Sequence, residues 1–367
     1  MRIVLTGGGT GGHLIPLVTV ARKIQKKVPE AEFIFIGPKG KMEDDIMGRE
    51  NIPIKNIPVG KLRRYFSFKN VVDFFKVPIG IIKSLWLLFL YMPDAIFSKG
   101  GYASFPVVVA GWMYRIPILT HESDSNPGLA NSMIGKFSDR VAVAYPEAEK
   151  YFPAAQVVLT GNPLREDINK GNAKKAQELF GMVDSRELIF VWGGSLGAKS
   201  INERILHILP ELLRKYQIVH QTGEYDFENV RHRAGELGFK AEHGGYFITP
   251  FLKEELPDVF AAASMVISRA GANSIAEIAA NAKPAIIVPL ETSAGDHQRM
   301  NAYSLARIGG CVVMEENNMG EHLLLEKINE IMENKELRES LSKNIQSFYH
   351  PDAAEKIADG ILGMIKE

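Results

Sequence analysis

"RIVLTGGGTGGHLIPLVTVARKIQKKVPEAEFIFIG", residues 2–37, changes its hydrophobic period twice. Residues 2–6 are a short apolar run that stops in glycines. Residues 14–27 carry apolar side chains at helical spacing, and 31–37 return to the pattern of a buried strand. Strand, glycine loop, helix and strand in that order predict a β-loop-α-β unit opening a parallel, doubly wound sheet. Further strands are expected at 95–100, 117–122, 140–145 and 156–161.

The plan restarts at "ELIFVWGGSLGAKSINERILHIL" (187–209), again an apolar run, glycines and a helix. Strands are expected after it at 216–223, 246–251, 265–271 and 284–290. The fold class is therefore α/β, with two facing Rossmann-like domains. "TGNPLR" (160–165) joins them, its Gly-Asn-Pro suiting a hinge. The expected division is residues 1–161, 162–350 and a C-terminal helix at 351–367 packing back on the first domain. Ligands of open α/β sheets bind beyond the carboxyl ends of the strands, so both glycine loops are expected to line an interdomain cleft.

The chain has 367 residues, 46% hydrophobic and 23% charged, as in an ordinary globular enzyme. Lys+Arg and Asp+Glu are both 43, which argues against bulk electrostatic binding to nucleic acid. One cysteine, Cys311, excludes an intrachain disulfide and fits a reducing compartment. The chain opens directly on a strand, so no secretory signal is expected. The apolar run 77–92 is interrupted by Pro78 and Lys83 and is short for a membrane span.

Gly7, Gly9 and Gly12 satisfy G-x-G-x-x-G, a weak dinucleotide signal by itself. An NAD site wants an acid near the end of the second strand, where this chain has Gly37-Pro38; Glu43, Asp44 and Asp45 come later. A phosphate loop of the Walker type wants lysine where His13 stands. Without either label, backbone amides at a helix start still favour an anion or a hydroxyl-bearing group. His13 titrates near neutrality and is the candidate base for a sugar hydroxyl. The helix dipole is expected to lower its pKa and keep it neutral. Glu122, ending another strand in "THESD", either orients His13, binds hydroxyls, or caps and pairs locally.

In the second half, Gly271 ends a strand, and Ala272, Asn273 and Ser274 open a helix suited to a diphosphate. Glu277, on the first turns, suits two ribose hydroxyls, or is ordinary helix-start charge. In the polar loop 291–302, Asp296 and Gln298 are candidates for sugar hydroxyls. No Asp-x-Asp metal pattern occurs; no metal and no cofactor are expected, and Arg165 is the candidate cation for a leaving diphosphate.

In order along the chain, "GGGTGGH" (7–13), "KGGYASFP" (99–106), "HESDSNPGLAN" (121–131), "TGNPLR", "GGSLGA", "SRAGANSIAE" and "DHQRMNA" resemble the MurG family of bacterial glycosyltransferases. The resemblance covers essentially the whole chain. It implies the glycosyltransferase-B fold and transfer of N-acetylglucosamine from UDP-N-acetylglucosamine to the lipid-linked acceptor lipid I, giving lipid II for peptidoglycan. It implies Thr10, Gly11, Gly12 and His13 at the sugar and diphosphate, Arg165 from the hinge, and Ser195 from the second glycine loop. It also implies Leu252 near the uracil, Ala272, Asn273, Ser274, Ile275, Ala276 and Glu277 at the diphosphate and ribose, and Gln298 at the sugar. Asp124 departs from an asparagine frequent in the family.

With such an acceptor, residues 60–92 gain a meaning. Lys61, Arg63, Arg64, Lys69, Lys76 and Lys83 interleave with Tyr65, Phe66, Phe68, Phe74, Phe75 and Trp86, which suits the anionic surface of a membrane. The expected location is the cytoplasmic face of the bacterial membrane, without insertion. Rival readings are a related transferase for another lipid or natural product, a UDP-sugar epimerase, an NAD oxidoreductase, and a non-catalytic nucleotide-sugar module.

Overall fold

The computed structural model describes residues 1–9, 11–60, 68–183, 185–194, 197–239 and 244–366. Thr10, Ser195, Lys61, Arg63, Arg64, Tyr65 and Phe66 lie outside the described residues, as do the side chains of Phe68, Lys69 and Phe74. The chain divides into two compact units, Met1–Arg165 with His350–Glu367, and Glu166–Tyr349. The hinge motif thus closes the first unit, and the chain returns to that unit at His350.

Among the described residues the first unit carries seven parallel strands: β1 Arg2–Thr6, β2 Glu32–Gly37, β3 Ile54–Asn56, β4 Ala95–Ser98, β5 Ile118–Glu122, β6 Arg140–Val143 and β7 Val157–Leu159. Their order is β3-β2-β1-β4-β5-β6-β7. β3 is missing from the sequence reading, because three residues are too few to show a period. Both faces of the sheet are covered. Ile3 and Leu5 pack on one side with Leu17, Phe35, Phe97 and Ile357, while Val4 packs on the other with Ile96, Leu88 and Val107. Strands buried on both faces read as continuous apolar runs, which is why they were legible.

The C-terminal helix Ala353–Lys366 lies against the helix Gly11–Lys27. Ile357, Ala358 and Ile361 are fully buried there. Lys27 pairs with Glu355 and Asp359 at 2.6 Å across the seam. These exposed pairs fix register more than they stabilise.

The second unit carries β8 Leu188–Trp192, β9 Gln217–Gln221, β10 Tyr246–Thr249, β11 Ala263–Arg269, β12 Ala285–Val288 and β13 Val312–Val313, ordered β10-β9-β8-β11-β12-β13 among the described residues. The two-residue β13 was also missing from the sequence reading.

Strand order decides where the motifs meet. In the first sheet the order reverses between β1 and β4, and in the second between β8 and β11. Such switch points open the crevice in which doubly wound sheets bind ligands. Thr6 pairs with Ser98, so Gly7 and Lys99 leave the sheet as neighbours. Ser268 pairs with Trp192, so Gly193 leaves β8 beside Arg269, the last residue of β11.

Candidate functional site

In the first unit, the loop after β1 runs through Gly8 at φ +129° and Gly9 at φ +88°, a region costly for other residues. A Cβ on Gly8 would stand 3.0 Å from Glu43 Oε1 and from Pro38. Glu43, itself buried, accepts the Gly9 amide at 2.9 Å. This acid came too late for a ribose contact of the NAD type; here it holds the loop instead.

His13 is the third residue of the helix Gly11–Lys27, in the turn whose amides precede the helical hydrogen-bond ladder. Gly11 and Gly12 are the two residues before it in the same turn. A Cβ on Gly101 would stand 3.4 Å from His13 Nε2, so the glycine pair of "KGGY" lets the backbone come up to the ring. Burial first, and the ammonium of Lys99 second, push the imidazole pKa down to about 3. Both causes, desolvation first and the like charge of Lys99 second, favour the neutral imidazole.

Glu122 is fully buried at the end of β5. Its Oε1 accepts the Asp124 amide at 2.8 Å and its Oε2 accepts Asn131 Nδ2 at 2.7 Å. Asn131 Oδ1 in turn accepts the Gly101 amide at 2.7 Å. The path from Glu122 to the His13 ring therefore runs through Asn131 and the Gly101 backbone. Burial leads in pushing the Glu122 carboxyl up to about 7, with Asp124 adding to it. Asn131 escaped the sequence reading as a functional residue. Only the strand order brings it beneath a loop thirty positions away.

In the second unit, the helix Ala272–Ala280 starts at the β11 end of the switch point. Its ladder begins at Ile275, whose amide bonds the Gly271 carbonyl at 2.9 Å. The amides of Ala272, Asn273 and Ser274 precede the ladder and suit an anion. Ile275, the next residue, has a fully buried side chain, and its amide is the first of the ladder. Ala276 and Glu277 are also mostly buried, Glu277 on the second turn. Asn301, from "DHQRMNA", donates to the Ala270 carbonyl at 3.2 Å and anchors the start of this turn.

Gln221, unmarked by any motif, ties two expected elements together. Its Nε2 donates to the Gly194 carbonyl and its Oε1 accepts the Leu252 amide, both at 2.9 Å. A glutamine closing the apolar run of β9 was the signal available in the sequence. Leu252 itself is buried beside it. Gln298, second residue of the helix His297–Arg307, accepts the Leu290 amide at 3.1 Å, which fixes its side chain. Asp296 precedes that helix in left-handed geometry, φ +59°. Arg165 is half-buried as the last residue of the first unit.

Arg269 supplies a further support. It donates to Ser200 Oγ at 2.8 Å and to Glu316 Oε1 at 2.6 Å. The strand that feeds the helix at Ala272 is thereby tied to the helix Lys199–Leu212 after the second glycine loop.

Residues 3–143 match the glycosyltransferase family 28 N-terminal domain, and residues 188–357 match its C-terminal domain. The chain belongs to glycosyltransferase family 28. Relatives within reach of this family are close over nearly the full length. A Bacillus cereus protein named UDP-N-acetylglucosamine--N-acetylmuramyl-(pentapeptide) pyrophosphoryl-undecaprenol N-acetylglucosamine transferase 2 is 39% identical, covering 93% of this chain and 94% of its own. A Clostridium perfringens protein of the same name, without the numeral, is 39% identical over 99% of this chain and 96% of its own. The crystal structure of Acinetobacter baumannii MurG superposes with a TM-score of 0.76 at 26% identity, covering 99% of each chain. A UDP-GlcNAc 2-epimerase from Neisseria meningitidis, bound to UDP-GlcNAc, superposes at 0.71 with 15% identity, covering 99% of this chain and 100% of its own, which is a likeness of fold alone. The two Rossmann-like units and their glycine loops are thus the frame of a family 28 transferase.

Proposed function

We propose that the chain moves N-acetylglucosamine from UDP-N-acetylglucosamine to the 4-hydroxyl of the N-acetylmuramoyl-pentapeptide of lipid I, with inversion, giving lipid II. The observation that carries this reading is 38–40% identity, over more than nine-tenths of the chain, to proteins bearing that transferase name. The acceptor oxygen gives its proton to His13 and bonds to the anomeric carbon. The bond from that carbon to the diphosphate breaks, and UDP leaves with the electron pair. A neutral imidazole is the form that accepts a proton. Thr10, Gly11 and Gly12 present the first loop to the sugar and diphosphate. Ser195, Leu252 and the turn at Ala272–Ser274 receive the nucleotide, Gln298 the donor sugar, and Arg165 the diphosphate charge.

Product analysis with UDP-N-acetylglucosamine, with and without lipid I, tests the reading. Glycosylated acceptor plus UDP is expected only when lipid I is present. A changed UDP-sugar formed without acceptor would instead make the chain an epimerase.

Glu277 is proposed to hold the ribose hydroxyls. Glu277→Ala is expected to weaken UDP binding by about 1.5–3 kcal/mol, the worth of a charged hydrogen bond. Calorimetry showing unchanged UDP affinity removes Glu277 from the site.

Membrane association is proposed to be peripheral, on the cytoplasmic face. Among the described residues no helix is long and apolar enough to cross a membrane. The helix Phe68–Tyr91 nevertheless turns an apolar stripe outward. Phe75, Ile79, Ile82, Trp86 and Phe89 recur at helical spacing, Trp86 and Phe89 each 62% exposed and Ile82 67%. Trp112 and Met113 are exposed on the helix Phe105–Met113 packed alongside, and Lys83 is exposed among the stripe residues. Apolar side chains with basic neighbours suit an anionic bilayer surface. Trp86→Ser with Phe89→Ser is expected to lower vesicle affinity by about 1.5–3 kcal/mol per side chain if each inserts fully. Neutralising Arg63, Arg64 and Lys69 is expected to cost about 1 kcal/mol per charge on anionic vesicles. Sedimentation insensitive to both sets of changes and to salt excludes this surface.

A further inference from the structure

Lys99 is fully buried, yet the transfer step described above makes no use of it. It is the first residue after β4, and its amide donates to the Thr6 carbonyl at 2.9 Å. Its Cβ lies 3.3 Å from where a Cβ on Gly7 would stand, directly under the first glycine loop. Its ammonium donates to the Ser123 hydroxyl at 3.0 Å. Ser123 sits between Glu122 and Asp124, so the ammonium is held at the residue that separates two carboxylates. Glu122 is fully buried and grips the Asp124 amide and the Asn131 side chain. A buried ammonium without an opposite charge is strongly disfavoured, and so are two adjoining carboxylates without a cation. Burial disfavours the charged ammonium of Lys99, and the charges of Glu122 and Asp124 favour it.

We propose that Lys99 is a positioning residue for the transfer: as shared counter-charge of Glu122 and Asp124, it holds the Glu122–Asn131–Gly101 chain that sets the backbone against the His13 ring. The inference rests on the reading of His13 as proton acceptor. Its physical content is electrostatic. Glu122 must keep both oxygens as acceptors to hold Asp124 and Asn131 together. A proton on Glu122 turns one of those oxygens into a donor facing another donor, and Asn131 then loses its hold on Gly101. A Cβ on Gly100 would overlap the Asn131 amide, so the loop is closely fitted to this side chain and follows it when it moves.

The bookkeeping of charge gives the test. Above about pH 7, where Glu122 carries its charge, two carboxylates and one ammonium leave one net negative charge. Lys99→Met leaves two, and a proton must enter or the corner must open. Lys99→Met with Asp124→Asn returns to one. Wild type, both single variants and the double are compared by single-turnover transfer from UDP-N-acetylglucosamine to lipid I, UDP calorimetry and thermal unfolding. Lys99→Met is expected to lower kcat per folded molecule by about 10²-fold, the scale of an ångström misplacement, with UDP affinity unchanged. The double is expected to recover most of that loss, and its unfolding midpoint to lie above that of Lys99→Met. A purely structural lysine would lower the folded fraction but leave kcat per folded molecule intact, and that result overturns the proposal. A double variant no faster than Lys99→Met overturns it as well. Should Lys99→Met fail to fold, a double that folds and turns over supports the shared counter-charge, and one that also fails to fold sinks it. Wild-type protein without transfer defeats the reading of the reaction. Independently of that, additive shifts of the unfolding midpoint defeat the pairing of Lys99 with Asp124.

Discussion

His13→Ala lowers kcat by about 10²–10⁴-fold and leaves UDP affinity close to wild type; this is the largest effect expected from a single side chain here. The range is that of a positioned acid-base group. UDP affinity is spared because the proposed nucleotide contacts lie mainly in the second unit, whereas His13 is in the first. His13→Gln keeps a hydrogen-bonding side chain but offers no basic nitrogen, so it fares little better. The pH profile supplies a further check. Burial and Lys99 hold the His13 pKa at about 3, so His13 is neutral across the whole range above that. An acid limb near the ordinary histidine value of about 6.5 is therefore not expected from it. Glu122, which burial raises to about 7, is the group expected to give an inflection there, one that survives in the residual activity of His13→Gln. Single-turnover rates with saturating donor and acceptor decide the matter: a near-wild-type rate for His13→Ala reduces the residue to a helix-start position.

Ile357→Ala is expected to destabilise the first unit by about 2–5 kcal/mol, the range for truncating a fully buried isoleucine in a core that cannot collapse around the gap. Ile357 packs in the same cluster as Leu17, Phe97 and Leu119, contributed by three separate segments of the first unit. Its loss creates a cavity between the C-terminal helix and the sheet rather than at a frayed chain end. UDP affinity, proposed to reside mainly in residues 166–349, is expected to hold largely as long as the second unit stays folded. Denaturant titration followed by a probe in the first unit, with UDP calorimetry on the same protein, measures both halves of the statement. An unchanged midpoint would mean that the helix adds nothing to that core.

The sequence by itself determined the fold class, two restarts of one α/β plan, and the residues that stand at the strand ends. The reason is local. A strand buried on both faces is a continuous apolar run, a glycine loop before a helix is a change of period, and each is visible within a short window. It did not show β3 or β13, whose two or three residues carry no period.

What only the tertiary structure decided is which loops are neighbours. The strand order puts β4 beside β1 and β11 beside β8, although helices and other strands intervene along the chain. That order brings Gly101 to His13, Asn131 to Gly101 and Glu122 to Asn131. It brings Gln221 to both Gly194 and Leu252 in the same way. The cause of the His13 shift is of this kind too. A helix start is legible in sequence, but desolvation and the charge of a lysine 86 positions away exist only once the sheet has assembled around them.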